Sequence, residues 1–183
     1  MSSTLLTKNM ADHENRLLNE SYYISEYIQN RVSELGVRSI ENISPTDSTD
    51  QTLQLNHEYD LRVNDDGVVY RNYENAEAFI LHYDSSEQAI YYGSSEFFDY
   101  ENYEFINPLQ TKINSDDVTV DGETIIDYTC ISQSNFKNTD DSIPQDTVIK
   151  CSSAIIQVNI TLNYRINDDP LFEAMRFETT IVF

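Results

Sequence analysis

The residues of this chain that could carry out acid–base or metal chemistry are few and scattered. There are three histidines, His13, His57 and His82, each far in sequence from the others. A lone histidine in a helical stripe or a strand is more often structural than catalytic. The two cysteines, Cys130 and Cys151, have no histidine beside them, so they lack the ligand spacing of a zinc site. The sequence therefore predicts no catalytic set, and we expect the chain not to be an enzyme.

Carboxylates are the other candidates, because the chain has 32 acidic residues. Several form adjacent pairs in turn-like stretches, where Asp is favoured because it bonds the local backbone: Asp65–Asp66, Asp116–Asp117, Asp140–Asp141 and Asp168–Asp169. No stretch has the ligand spacing of an EF-hand. We therefore predict no cofactor and no metal, with the turn Asn64–Gly67 as the nearest approach to a calcium site. A hydrolase whose carboxylates meet only on folding stays open as an alternative.

The charge of the chain restricts its partners. Its formal net charge is −21 at pH 7, from 32 acidic and 11 basic residues. A phosphate backbone requires a basic patch, so nucleic acid is not an expected partner. An anionic membrane surface is disfavoured for the same reason. With neither an apolar run of 18 residues nor a signal-peptide pattern, the chain as given is predicted to be soluble.

The first 36 residues predict one long helix, and the rest of the chain is predicted to be organised around it. Near-apolar residues recur at steps of three and four: Leu6, Met10, His13, Leu17, Ser21, Ile24, Ile28, Val32 and Leu35. Gly36 stands where a helix commonly ends in a left-handed residue. At 1.5 Å per residue, the helix would be roughly 50 Å long.

The helical stripe is uneven along its length. From Leu17 onward it is dense, and Leu18, Tyr22, Tyr23 and Tyr27 widen it, whereas the first turns are thin and polar. We predict that Leu17, Ile24 and Ile28 pack against a sheet, and that Leu6 and Met10 project to form a subunit interface. The alternative is an ordinary amphipathic core helix with a frayed start.

Residues 37–183 predict an antiparallel β domain. Residues 37–51 read as a polar linker, and several hairpins follow it. The clearest strand is Ile156–Tyr164, whose strict alternation predicts one buried and one wet face. Met175–Phe183 is its expected partner. The aromatic and acidic stretch 94–107 fits neither period, and we interpret it as a segment clamped on the sheet rather than as a binding patch. Helix and sheet together predict an α+β fold in one structural unit.

The two cysteines flank a polar segment, 132–146, and each lies at the edge of a strand-like run. In a cytosolic protein they would be two small buried apolar residues, whereas in an exported protein they would pair. The Tyr-, Asn-, Ser- and Thr-rich composition is typical of an exported protein. We therefore predict a disulfide between Cys130 and Cys151.

Three stretches of the chain resemble the soluble part of a type IV pilin, within the minor pilins and the type II secretion pseudopilins of the J or W type. The first is Arg16–Val32, which is similar to the region where their helix packs on the sheet. The second is the hairpin Phe79–Tyr92. The third is the alternating strand Ile155–Tyr164 followed by Arg176–Phe183. The prepilin cleavage site and the apolar half-helix of that family are absent from this chain.

The resemblance implies a non-enzymatic filament subunit that assembles through its N-terminal helix. It implies a type IV pilus or a type II secretion pseudopilus, with the subunit at or near the tip. It also implies other minor pilins or pseudopilins and the major pilin as partners. The full-length form would be extracytoplasmic, held in the inner membrane before assembly by a segment upstream of this sequence. The alternative function is that of a β-rich binding or adhesion domain of a cell or phage surface.

Overall fold

The computed structural model of the protein describes residues 3–46, 49–56, 60–63, 69–72, 78–106, 110–121, 124–137, 147–164 and 174–183. Its one α-helix, α1, is Ser3–Leu35. The described strands, in chain order, are β1 Ser39–Asn42, β2 Gln51–Asn56, β3 Asp60–Val63, β4 Val69–Asn72, β5 Ala78–Asp84, β6 Ala89–Ser94, β7 Phe98–Asp99, β8 Glu104–Phe105, β9 Thr111–Lys112, β10 Val118–Val120, β11 Ile125–Lys137, β12 Thr147–Tyr164 and β13 Met175–Val182.

Strand β12 is the centre of a nine-stranded antiparallel sheet. One of its edges pairs with β11 and then with β10. Its other edge pairs with β13 along residues 155–162 and with β1 at Cys151. From β1 the sheet continues through β2, β5, β6 and β9. The hairpins β3–β4 and β7–β8 form two small separate sheets.

Helix α1 covers the inner face of this sheet. Its buried side chains recur at helical spacing, and Leu17 and Ile24 are completely inaccessible to solvent. They join the inward-facing residues of β12 in one core, including Ile156, Val158 and Ile160. Leu17, Ile24 and Ile28, which were predicted to pack on a sheet, are all buried members of this core. The helix stops where Gly36 adopts a positive φ of 55°, a conformation that glycine reaches without strain.

Of the four residues predicted to widen the buried stripe, Tyr27 packs against the core but the other three lie outside it. Tyr22 is 64% exposed and Tyr23 is 50% exposed, and Leu18 is also exposed. The reason is angular, since Tyr22 precedes Ile24 by two positions and so points about 200° away around the helix. Sequence spacing alone had placed too many aromatic side chains on the sheet-facing side.

The α+β class is wrong, because the sheet dominates the fold. The structure is mostly β, with a single N-terminal helix beside thirteen described strands. Two strands are much longer than their sequence patterns predicted, since β11 and β12 extend to Lys137 and back to Thr147. Their polar outer ends pair through backbone hydrogen bonds, which do not depend on side-chain polarity. The predicted linker after the helix also contains a strand, β1.

The predicted disulfide is present. Cys130 and Cys151 are bridged with their Cα atoms 5.6 Å apart. The bridge crosses from β11 to β12 beside an irregularity in the register, where Cys130 lies opposite Ala154 and Gln133 lies opposite Cys151. Cys151 also pairs with Ile40 of β1, the first strand after the helix. The bridge therefore links β11 to β12 at the position where β1 joins β12.

We predict that replacing Ile24 by Ala lowers the free energy of unfolding by about 2–5 kcal/mol, because the change leaves a cavity in the core. Replacing the exposed Tyr22 by Ala is the matched control and should alter stability by no more than about 0.5 kcal/mol. Denaturant unfolding of both variants measures this difference. Equal losses at the two positions would contradict the placement of the helix.

Candidate functional site

The candidate site is the start of α1, where the apolar period of the helix continues but the described side chains are exposed. Met10 is seven residues before Leu17 and lies on the same side of the helix, yet it is 37% exposed. Among the described side chains of the helix, Lys8, Met10, Ala11 and Asp12 are exposed, and His13 is the first that is buried. The side chain of Leu6 lies outside the described part of the chain. The first turns therefore present an apolar residue that the chain itself leaves partly uncovered.

Polar contacts hold the middle of the helix in place just beyond this boundary. The Glu20 carboxylate accepts a hydrogen bond from the Ser115 backbone N–H at 2.5 Å. The loop that carries Ser115 is itself fixed, because the buried Asn114 side chain accepts from the Ile90 N–H and donates to the Val118 carbonyl. The loop between β9 and β10 thus anchors the helix to the sheet near the point where the exposed turns begin.

An aromatic cluster fixes the rotation of the helix about its axis. The Tyr27 ring packs edge-on against Tyr92 with centroids 6.0 Å apart, and Tyr92 stacks on Phe79 at 5.4 Å. The Arg31 guanidinium lies 5.1 Å from the centre of the Tyr27 ring, a cation–π contact. Burial raises the pKa of the Tyr92 hydroxyl well above its ordinary value. These contacts keep Leu17 and Ile24 on the sheet, and so determine which side of the projecting turns carries Met10.

The surroundings of His82 are those of a packing residue. This residue is only 2% exposed, and its Nδ1 is 2.9 Å from the Thr52 hydroxyl. The rings of Phe98 and Phe105 lie edge-on to it at centroid distances of 5.6 and 6.4 Å. Burial lowers the pKa of His82, although Asp84 and Asp50 oppose that shift. Among the described residues, the imidazole is a buried packing group beneath these rings.

Residues 95–106, which we call the aromatic flap, form the cover over His82. The flap is a short 3₁₀ helix, Ser95–Phe97, followed by the β7–β8 hairpin. It lies against the outer face of the sheet, where a Cβ on Gly93 would approach the Phe105 ring to 2.6 Å. The interpretation of this stretch as a clamped segment agrees with the structure.

Two of the described carboxylates line a common cavity. Asp50 and Asp127 line one polar cavity of about 300 Å³ between the β1–β2 connection and β11. Asp50 accepts from the Ser85 N–H at 2.8 Å, and Asp127 accepts from the Tyr128 N–H at 2.7 Å. Both carboxylates therefore accept backbone N–H groups, Asp127 from the next residue and Asp50 from the turn between β5 and β6. Within the described ranges, no three His, Cys, Asp or Glu residues are grouped as metal ligands, and the turn Asn64–Gly67 lies outside those ranges.

The site residues predicted from sequence thus fall in three separate places. Leu17, Ile24 and Ile28 are in the core, Met10 is on the exposed turns, and the disulfide is on the β11–β12 pair. The sequence analysis placed Leu18, Tyr22 and Tyr23 in the buried stripe, whereas all three are exposed on the helix. Their angular positions on a helical wheel were the signal that would have separated them from the stripe.

Comparisons with protein-family models, with curated proteins and with solved structures find no significant match. The likeness to type IV pilins therefore stays a prediction. No helix of the described residues combines the length and apolarity that a membrane span requires.

The burial of His82 predicts a specific dependence of stability on pH. Its folded-state pKa is below the ordinary value of 6.5, so between these two values the unfolded chain binds the proton more readily. The stabilising contribution is complete above pH 6.5 and is lost as the pH falls through that window. Within it, the wild type should lose up to about 1.4 kcal/mol per pH unit relative to His82→Phe.

Denaturant unfolding of the two proteins between pH 7.5 and 5.0 measures this effect. The carboxylates and His13 titrate in both proteins, so the difference between the two curves isolates His82. Parallel curves would show that His82 is not buried as described.

Proposed function

We propose that this chain is a non-enzymatic filament subunit, of the minor pilin or pseudopilin kind, that packs on neighbouring subunits through the start of its N-terminal helix. The observation that carries the proposal is the division of α1 at His13. The helix is regular on both sides of this residue, but the described side chains before it, Lys8, Met10, Ala11 and Asp12, are exposed. The proposal does not depend on the α+β class.

A helical segment that no other element covers is unfavourable to form on its own. An isolated helical segment of three turns is marginal in water, because nucleation is unfavourable and few residues contribute. Here the turns before His13 grow from a helix that the core already stabilises, so nucleation is complete. An apolar surface from another subunit can then bury Met10 without ordering this segment anew. Preorganisation of this kind favours association because less conformational freedom is lost on binding.

Two further features agree with a subunit that functions outside the cytoplasm. The Cys130–Cys151 bridge belongs to an oxidising compartment. The excess of acidic residues disfavours nucleic acid as a partner and leaves protein surfaces as the expected targets. Other minor pilins or pseudopilins and the major pilin are the proposed partners. A position at or near the filament tip, and retention in the inner membrane before assembly, rest on the resemblance of the sequence alone.

We predict that Met10→Glu removes the chain from assembled filaments without affecting its own stability. A charge at an apolar anchor should weaken the subunit contact by about tenfold or more, since buried apolar side chains dominate such interfaces. The measurement is the amount of chain in sheared surface filaments from the native cell, with the free energy of unfolding measured on the purified chain.

Asn19→Glu provides the matched control, because Asn19 is also exposed on α1 but lies on the opposite side. It should assemble like the wild type. Normal incorporation of Met10→Glu would refute the proposal and favour the alternative of a surface binding domain. A large stability loss in Met10→Glu would instead show that this part of the helix belongs to the core.

A further inference from the structure

Strand β13 is an edge strand of the sheet as far as the described residues go. It pairs with β12 from Met175 opposite Leu162 to Val182 opposite Ile155. Among the residues that the structure describes, no strand pairs with the other side of β13. Alternate residues of an edge strand direct their N–H and C=O groups outward, so this side can accept another strand.

The exposed charges of β13 are balanced in sign, unlike those of the chain as a whole. On the outer face, Arg176 and Glu178 are both exposed, and their side chains approach to 3.9 Å. The edge is therefore locally neutral, although the whole chain has a net charge of −21. On the inner face, Met175 and Phe177 are half-buried and pack against the core. A partner strand would thus find apolar side chains on one face and one charge of each sign on the other.

We propose that two copies of this chain pair antiparallel through the edges of β13 that face away from β12, about a two-fold axis at Phe177. In an antiparallel pair of strands, residues directly opposite each other point to the same face of the joined sheet. When a two-fold axis relates the two strands, one residue must therefore lie opposite its own copy, and the axis passes between those two residues. Centring it on Phe177 places Arg176 opposite Glu178 of the second copy, and the symmetry repeats that pair.

Registers centred one residue to either side of Phe177 bring like charges together. Centring the pair on Arg176 would oppose two arginines, and centring it on Glu178 would oppose two glutamates. Like charges directly opposite each other destabilise a strand pair, whereas opposite charges stabilise it. In the register centred on Phe177, the two Phe177 rings are also opposed on the inner face, and aromatic cross-strand pairs are favourable. Side-chain charge therefore selects one register out of the three.

The dimer should be weak and dependent on concentration. An edge of eight residues offers a small contact, below the size of stable protein interfaces. The net charge of each copy also repels the other, and salt screens that repulsion. The proposal is independent of the filament contact, because β13 and the start of α1 are different surfaces.

Sedimentation equilibrium at increasing protein concentration in 0.3 M NaCl tests the proposal. The wild type should dimerise. Arg176→Glu and Glu178→Arg should each weaken the dimer by about tenfold or more, because two opposite-charge pairs become two like-charge pairs. The double variant R176E/E178R should restore dimerisation, and so should an equimolar mixture of the two single variants.

The two single variants control for net charge, because they change it in opposite directions. If general repulsion governed association, Glu178→Arg would strengthen the dimer rather than weaken it. That outcome would overturn the proposal, as would a wild type that stays monomeric or a dimer that none of the swaps affects. Both positions are exposed, so the unfolding midpoints of the variants should match that of the wild type and exclude misfolding as the cause.

Discussion

The rest of the structure depends on the contact between one helix and the inner face of a large sheet. Every second residue of the central part of β12 points inward, and helix α1 is the element that meets this row. Burial of an aliphatic side chain such as Ile24 contributes about 1.5–3 kcal/mol, so a stripe of such residues is a large share of the stability of a domain. Rotation of the helix would expose the stripe, and Glu20 and Tyr27 oppose such rotation.

This constraint explains why the two ends of the helix differ. The apolar period of the helix continues before His13, but the burial does not. Met10 repeats the position of Leu17 two turns earlier, yet it is exposed whereas Leu17 is inaccessible to solvent. On the opposite face of the sheet, the aromatic flap covers β5 and β6, and Gly93 leaves room for the Phe105 ring. The described side chains of the core thus lie from His13 onward along the helix.

Much of this arrangement could be predicted from sequence, where one strong local signal was enough. The 3.6-residue period gave the helix, and the alternation at Ile156–Tyr164 gave the inner half of β12. The polar ends of β11 and β12 were missed because backbone pairing leaves no mark in side-chain type, and β1 was missed because it is only four residues long. The exposed positions of Leu18 and Tyr22 depend on the helix rotation, which contacts distant in sequence decide. The mostly β class could not be predicted either, because it depends on how many residues the strands contain. Strand length is determined by pairing across the whole sheet and not by the local sequence.

Native-state hydrogen exchange along α1 tests the central claim most directly, because it reads the local opening free energy of each backbone N–H. Backbone amides from about Leu17 to Val32 should exchange slowly, near the limit set by global unfolding. Exchange should be faster by about a hundredfold or more before His13, since those turns are held only by helix propagation. Uniform protection from Leu6 to Val32 would show that the first turns are part of the core, and would contradict the division of the helix into a packed part and a part available for assembly.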